Sequence, residues 1–206
     1  MRIVGGRHRG RRLLAPPGDA VRPTGDRARE ALFNILSHGR LAADGIPFAE
    51  AAVLDAFAGT GALGLEALSR GAAEAVFFER DPEALAILRR NVETLGESIH
   101  AQIVPGDATR PPRAGLRCAV AFIDPPYRSG LAASALEALD RAGWLAPDAL
   151  AIVELGAREE FVPPAVFTLF DERIYGATQL VFLRRKNNVN RDGTLGPAAE
   201  PPQTTH

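Results

Sequence analysis

The twelve residues Val53-Leu54-Asp55-Ala56-Phe57-Ala58-Gly59-Thr60-Gly61-Ala62-Leu63-Gly64 read as an apolar strand that breaks into a glycine turn and runs straight into a helix. Gly59 and Gly61 permit a tight turn and a close approach to the backbone, and the helix that follows presents unpaired N–H groups at its start. Gly59, Gly61 and Gly64 spell G-x-G-x-x-G. Glu79 stands 20 residues beyond Gly59, at the end of the next apolar run, where an acid can grip ribose hydroxyls. At this point a dinucleotide and S-adenosylmethionine both remain open as ligands.

The acids around the turn favour the second. Asp55 lies four residues before the first glycine, where it would repel a pyrophosphate but welcome a cationic methionyl group with its sulfonium. Gly106-Asp107-Ala108 follows the third apolar run, placing a carboxylate where an adenine amino group can donate to it. Acids at successive strand ends suit a ligand with an amine, a ribose and an adenine. The expected cofactor set is Asp55, Phe57, Gly59, Thr60, Gly61, Glu79, Arg80, Asp107, Ala108 and Asp124.

Outward from the turn the chain alternates strand and helix. Apolar runs at 52–57, 75–78, 102–104, 119–123 and 150–153 are separated by helical stretches at 62–69, 82–95 and 131–141. That order predicts a parallel sheet covered on both faces. The pattern changes at 166–175 and 178–184, which flank Gly176-Ala177 and predict an antiparallel hairpin. Upstream, Pro23-Thr24-Gly25-Asp26 opens a helix with Thr24 or Asp26 as its cap. Ala28, Ala31, Leu32, Ile35 and Leu36 share its apolar face, with Arg27, Arg29, Glu30 and Asn34 off it. The expected organisation is a basic strand or hairpin extension over 1–21, a catalytic domain over 22–185 and a disordered polar tail over 186–206.

The fourth apolar run ends in Asp124-Pro125-Pro126-Tyr127, which resembles the motif of amino-group methyltransferases, whose first residue is Asn, Asp or Ser. The residue types fit that chemistry. An exocyclic amine on a purine is a poor nucleophile because its lone pair is delocalised into the ring. The Asp124 carboxylate and the Pro125 carbonyl can accept its two hydrogens and favour a pyramidal nitrogen. The prolines fix φ and remove backbone donors. Tyr127 offers a face on which an extracted base can stack, worth about 1–3 kcal/mol. Asp124, Pro125, Pro126 and Tyr127 are therefore the expected catalytic set, and no metal-ligand cluster is visible.

The net charge of −1 conceals an asymmetry: residues 1–30 carry +5 and the remainder −6. Arg2, Arg7, Arg9, Arg11, Arg12 and Arg22 are expected to bind RNA phosphates, with His8 among them as a surface or phosphate contact. Cys118 is the only cysteine, which excludes an internal disulfide. No run approaches the ~20 apolar residues of a membrane span, and Met1–Gly6 lacks a secretory h-region. A monomeric, cytoplasmic protein is expected.

Taken together, Arg2-Ile3-Val4-Gly5-Gly6, Arg9-Gly10-Arg11, Arg22-Pro23-Thr24, Asp26 to Asn34, Asp55 to Arg70 and Asp124-Pro125-Pro126-Tyr127 resemble the RsmD family of bacterial 16S rRNA guanine-N2 methyltransferases over roughly residues 2–184. The resemblance implies a seven-stranded Rossmann-like, S-adenosylmethionine-dependent sheet with an antiparallel last strand. It also implies a guanine in 16S rRNA of the small ribosomal subunit as substrate. Family members often carry Phe where this chain has Tyr127, and either ring can stack.

Overall fold

The computed structural model describes residues 1–16, 23–43, 47–126 and 128–187. The expectations placed on Arg22, on Tyr127 and on a disordered tail past residue 187 lie outside these residues.

Helix α1 (Pro23–Ser37) precedes a Rossmann-like alternation of β1 (Ala52–Asp55), α2 (Ala62–Ser69), β2 (Glu74–Glu79), α3 (Pro82–Leu95), β3 (Ala101–Pro105), β4 (Cys118–Ile123), α4 (Leu131–Arg141) and β5 (Leu145–Gly156). The hairpin β6 (Phe167–Tyr175) and β7 (Thr178–Arg185) completes a seven-stranded sheet in the order β3-β2-β1-β4-β5-β7-β6. Strands β1 to β5 are parallel, whereas β7 runs antiparallel between β5 and β6. The strand order reverses between β1 and β4, which opens a crevice at their carboxyl ends.

Local signals explain the helix ends. Asp81 caps α3 by accepting the Ala84 N–H at 2.8 Å, Pro82 occupies the first turn, and Gly96 closes the helix at φ +75°. Helix α1 already includes Pro23, so Thr24 and Asp26 lie within its first turn and not at the cap expected of them.

Apolar residues alternate to both faces of the sheet. On one face Phe33, Leu36, Leu65, Leu68, Leu88 and Val92 pack against Val53, Phe77, Val120, Phe122 and Ile152. On the other, Ala135, Leu136, Leu139 and Trp144 pack against Leu54, Val76, Phe78, Ala121 and Val153. Each large side chain so buried contributes about 1.5–3 kcal/mol. Trp144 donates to the Pro112 carbonyl at 2.8 Å and meets the Phe78 ring edge-on, so it is a core anchor.

Two local expectations change. Strand β5 begins at Leu145 and not at 150, because its first residues pair with Cys118 before a bulge restores register at Val120. Arg29, expected off the apolar face of α1, is buried; it bonds the Arg2 carbonyl and lies 3.7 Å from Glu66. A paired guanidinium can enter the core where a solitary one cannot.

The first fourteen residues are built into the domain. Arg2 and Arg12 form an antiparallel bridge, a short 3₁₀ turn spans Gly6–His8, and Ile3 and Leu13 enter the same core as α1 and α2. No described helix is long and apolar enough to cross a membrane.

Candidate active site

A cleft of about 660 Å³ opens over the carboxyl ends of β1, β2, β3 and β4. Of the residues expected to hold cofactor or substrate, Phe57, Glu79, Arg80, Asp107, Ala108, Asp124, Pro125 and Pro126 line it. Asp55, Gly59, Thr60 and Gly61 are not among its walls.

Asp55 instead works from behind. It is 1% exposed, and its Oδ2 accepts the Gly64 N–H at 3.0 Å, which ties β1 to the first turn of α2. Burial, offset in part by this bond and reinforced by the charge on Glu79, pushes its carboxyl up to about 7. Its Oδ1 has no hydrogen-bond partner among the described residues.

The three glycines divide their roles. A side chain on Gly61 would strike Leu88, and one on Gly64 would strike Phe77, so both admit close packing of α2 and α3 against the sheet. Gly59 has φ +53° with open space where a Cβ would stand, and its N–H donates to Glu79 Oε2 at 2.7 Å. Glu79 Oε1 accepts the N–H groups of Arg80 and Asp81, each at 2.8 Å. One carboxylate thus locks the glycine turn to the end of β2.

Asp107 stands at the end of β3. Its Oδ1 accepts the Thr109 N–H and hydroxyl, both at 2.8 Å, and Arg80 reaches its Oδ2 at 3.3 Å. Those two Thr109 bonds and the Arg80 charge outweigh burial and hold its carboxyl below the ordinary range.

Asp124 follows β4 into the cleft. Burial pushes its carboxyl well above the ordinary range, and the charges of Glu154 and Asp55 add to the effect. Ile123, the last residue of β4, pairs in register with Val153, so Asp124 leaves the strand where Glu154 continues β5. Nothing in the linear sequence links Glu154 to Asp124, because 30 residues separate them. Glu159 was missed for the same reason: its Oε2 accepts the N–H groups of Arg128 and Gly156, each at 3.3 Å. Arg128 sits at φ +59°, an uncommon conformation for a residue with a side chain, so this bond supports the backbone just past the Asp-Pro-Pro turn.

The amino-terminal arginines separate into two groups. Arg7 grips Glu97 with bonds of 2.7 and 3.0 Å, and Arg11 donates to the Thr94 carbonyl at 2.8 Å. Arg9 and Arg12 are exposed. His8 is no surface contact: its Nε2 lies 2.5 Å from Glu97 Oε1, with the side chain only 15% exposed. Buried Asn91 joins the segment to the cofactor turn, since its Nδ2 donates to both the Leu14 and Thr60 carbonyls.

Known proteins resemble this chain in sequence and fold. Residues 1–184 match the family described as "Conserved hypothetical protein 95". The chain is 40% identical over 195 residues to ribosomal RNA small subunit methyltransferase D of Escherichia coli K12, covering 93% of each. The Haemophilus influenzae protein of the same name is 36% identical over 181 residues, covering 85% of this chain and 89% of that one. The solved structure of the yhhF methyltransferase of Escherichia coli superimposes with a TM-score of 0.77 at 38% identity, covering 91% of this chain and 98% of that one. An RNA methyltransferase of Salinibacter ruber, solved with S-adenosyl-L-homocysteine, shares the fold at TM-score 0.58 and 13% identity, covering 82% and 96%. The chain belongs to the RsmD family of small-subunit rRNA methyltransferases.

Proposed function

We propose that the protein transfers the methyl group of S-adenosylmethionine to the exocyclic N2 of a guanine in 16S rRNA of the small ribosomal subunit. The observation that carries this reading is Asp124-Pro125-Pro126 opening from β4 into a cleft whose neighbouring strand ends carry Glu79 and Asp107.

The residues fit the cofactor. Glu79 is oriented as an acceptor for ribose hydroxyls, and Asp107, held ionised, for an adenine amino group. Gly59 leaves room for close backbone approach. Bound there, the cofactor would supply an electrophilic methyl on a sulfonium. Asp124 and the Pro125 carbonyl accept the two hydrogens of the guanine amine, and Tyr127 stacks on the extracted base. Holding the amine in line contributes several kcal/mol through orientation, on the order of the effects known for intramolecular reactions. Arg9 and Arg12, exposed on the amino-terminal segment, meet RNA phosphates.

The test is transfer of radiolabelled methyl from S-adenosylmethionine to small subunits that lack their own guanine-N2 methylation, followed by nucleoside analysis. Label is expected as N2-methylguanosine, and Asp124→Ala is expected to lower turnover by more than about a thousandfold while cofactor affinity stays within a few-fold. Label on another nucleoside, or wild-type turnover in the variant, overturns the base or the catalytic assignment respectively.

A further inference from the structure

Helix α3 turns Leu85, Leu88, Asn91, Val92 and Leu95 toward the core, and four of these five are apolar. The fifth, Asn91, is 1% exposed. A buried amide costs free energy unless its polar atoms are bonded, and an apolar residue in the same stripe would carry no such penalty. Asn91 is therefore explained by its bonds and not by its packing.

Those bonds reach two segments far apart in the chain. Asn91 Oδ1 accepts the Leu14 N–H at 2.8 Å and Nδ2 donates to the Leu14 carbonyl at 3.1 Å, so the side chain pairs with Leu14 as a neighbouring strand would. The same Nδ2 donates to the Thr60 carbonyl at 2.9 Å. Both amide hydrogens and one lone pair of the oxygen are thus engaged. Each end of the bridge leads to a part of the site. Leu14 ends the stretch that carries Arg9 and Arg12, which is closed onto residues 1–3 by the Leu13 N–H on the Met1 carbonyl and the Ile3 N–H on the Arg11 carbonyl, at 3.1 and 3.0 Å. Thr60 stands in the glycine turn between Gly59 and Gly61, both at positive φ. The Gly61 N–H donates to the Ala58 carbonyl at 2.7 Å, so the peptide joining Thr60 to Gly61 is held at its N–H by the turn and at its carbonyl by Asn91. Gly59, one residue back, is tied to Glu79 in the cleft wall. Met1 adds a second contact between the two segments, its Sδ lying 3.6 Å from the Thr60 hydroxyl.

We propose that Asn91 is a positioning residue for methyl transfer, holding the cofactor turn and the arginine-bearing segment in one arrangement so that occupation of either stiffens the other. The proposal rests on the cofactor and RNA reading above. Asn91 does not line the cleft and acts through Thr60 and Leu14.

A cofactor seated against the turn restricts the Thr60 peptide. Asn91 loses freedom with it, and the Leu14 end of the basic segment is ordered before RNA arrives. The second ligand then finds part of its ordering cost already met. By linkage the same holds when RNA binds first.

The experiment is hydrogen exchange, read by mass spectrometry, on the full wild-type chain with and without S-adenosylhomocysteine, joined to the kinetics of Asn91→Asp. Exchange in a peptide spanning residues 10–16 is expected to slow by about threefold or more, although that stretch does not line the cleft. Unchanged exchange at 10–16 in protein saturated with the ligand overturns the proposal, whether or not the variant folds. Absence of binding by calorimetry refutes the cofactor reading and removes the proposal with it. Asn91→Asp keeps the acceptor for the Leu14 N–H and sets a carboxylate against the Leu14 and Thr60 carbonyls. KM is expected to rise by about fivefold or more both for S-adenosylmethionine and for small subunits that lack their own guanine-N2 methylation, while kcat stays within about threefold. A rise in one KM alone, or in neither, in a folded variant overturns the coupling. A purely structural asparagine would lower Tm and leave both KM values where they are.

Discussion

Two groups of acids on this molecule are treated in opposite ways. Beneath the amino-terminal segment, Glu66 and Glu97 are 0% and 2% exposed and both are answered by cations. Glu66 takes Arg70 at 2.6 Å and the Val4 N–H at 2.8 Å, with Arg29 at 3.7 Å; Glu97 takes Arg7 and His8. At the carboxyl ends of β1 and β4, Asp55 and Asp124 are instead pressed toward their neutral forms by burial and by neighbouring acids. The first arrangement fastens one part of the chain to another. The second raises the proton affinity of carboxyls at the edge of the cleft, so acids of the same type serve anchoring in one place and stand beside the candidate site in the other.

Removing an anchor should show the largest effect on stability. Glu66→Leu removes the acceptor of Arg70 and of the Val4 N–H and one anionic neighbour of buried Arg29, and breaking a buried pair of this kind costs about 3–5 kcal/mol. For a chain of this size that is a fall in Tm of roughly 10 °C by calorimetry. Adding Arg29→Met should restore much of the loss; no restoration would mean that Glu66 acts chiefly through Val4 and Arg70.

The two groups should also answer pH with opposite signs. Asp55 holds its proton to about 7 in the folded state against 3.8 ordinarily, so the folded state binds more protons between those values. Stability of the unliganded protein should therefore fall as pH rises from 4 to 8, by on the order of 4 kcal/mol for this group. Asp55→Asn should flatten that slope in urea unfolding at pH 5 and pH 8. An unchanged slope would place the buried proton elsewhere.

Glu97 behaves the other way. Burial raises its carboxyl, but hydrogen bonds from Arg7 and His8 and their charges prevail and hold it below 4.5. Its contribution is complete above that value and is lost as pH falls through the folded one. Glu97→Gln should cost about 1–3 kcal/mol at pH 7, and the cost should shrink as pH falls through the lowered folded value. A cost that stays constant down to full protonation would show that shape, not charge, fastens the segment.

Helices α2, α3 and α4 were legible to the residue, and the hairpin closely so, because their boundary signals are local: a glycine turn before Ala62, Asp81-Pro82 and Gly96 around α3, Gly130 before Leu131, and Gly176 between β6 and β7. The Asp-Pro-Pro turn and the acids at strand ends were legible for the same reason. Arg29, His8 and Glu97 were not. The side chains that hold Val4, Arg7 and His8 lie 61 to 90 positions away, and nothing in a linear pattern pairs them.

The amino-acid order alone therefore set the alternation of strand and helix, the glycine turn, the acid at each parallel strand end and the Asp-Pro-Pro exit from β4, since each depends on neighbours within a few positions. The register of β1, β4 and β5 settled the rest. It set Asp55 of β1 beside Phe122 of β4, and it placed Asp55 behind the cleft and not in its wall. Charge repulsion and desolvation act through space over a few ångströms, and only the folded sheet sets those distances.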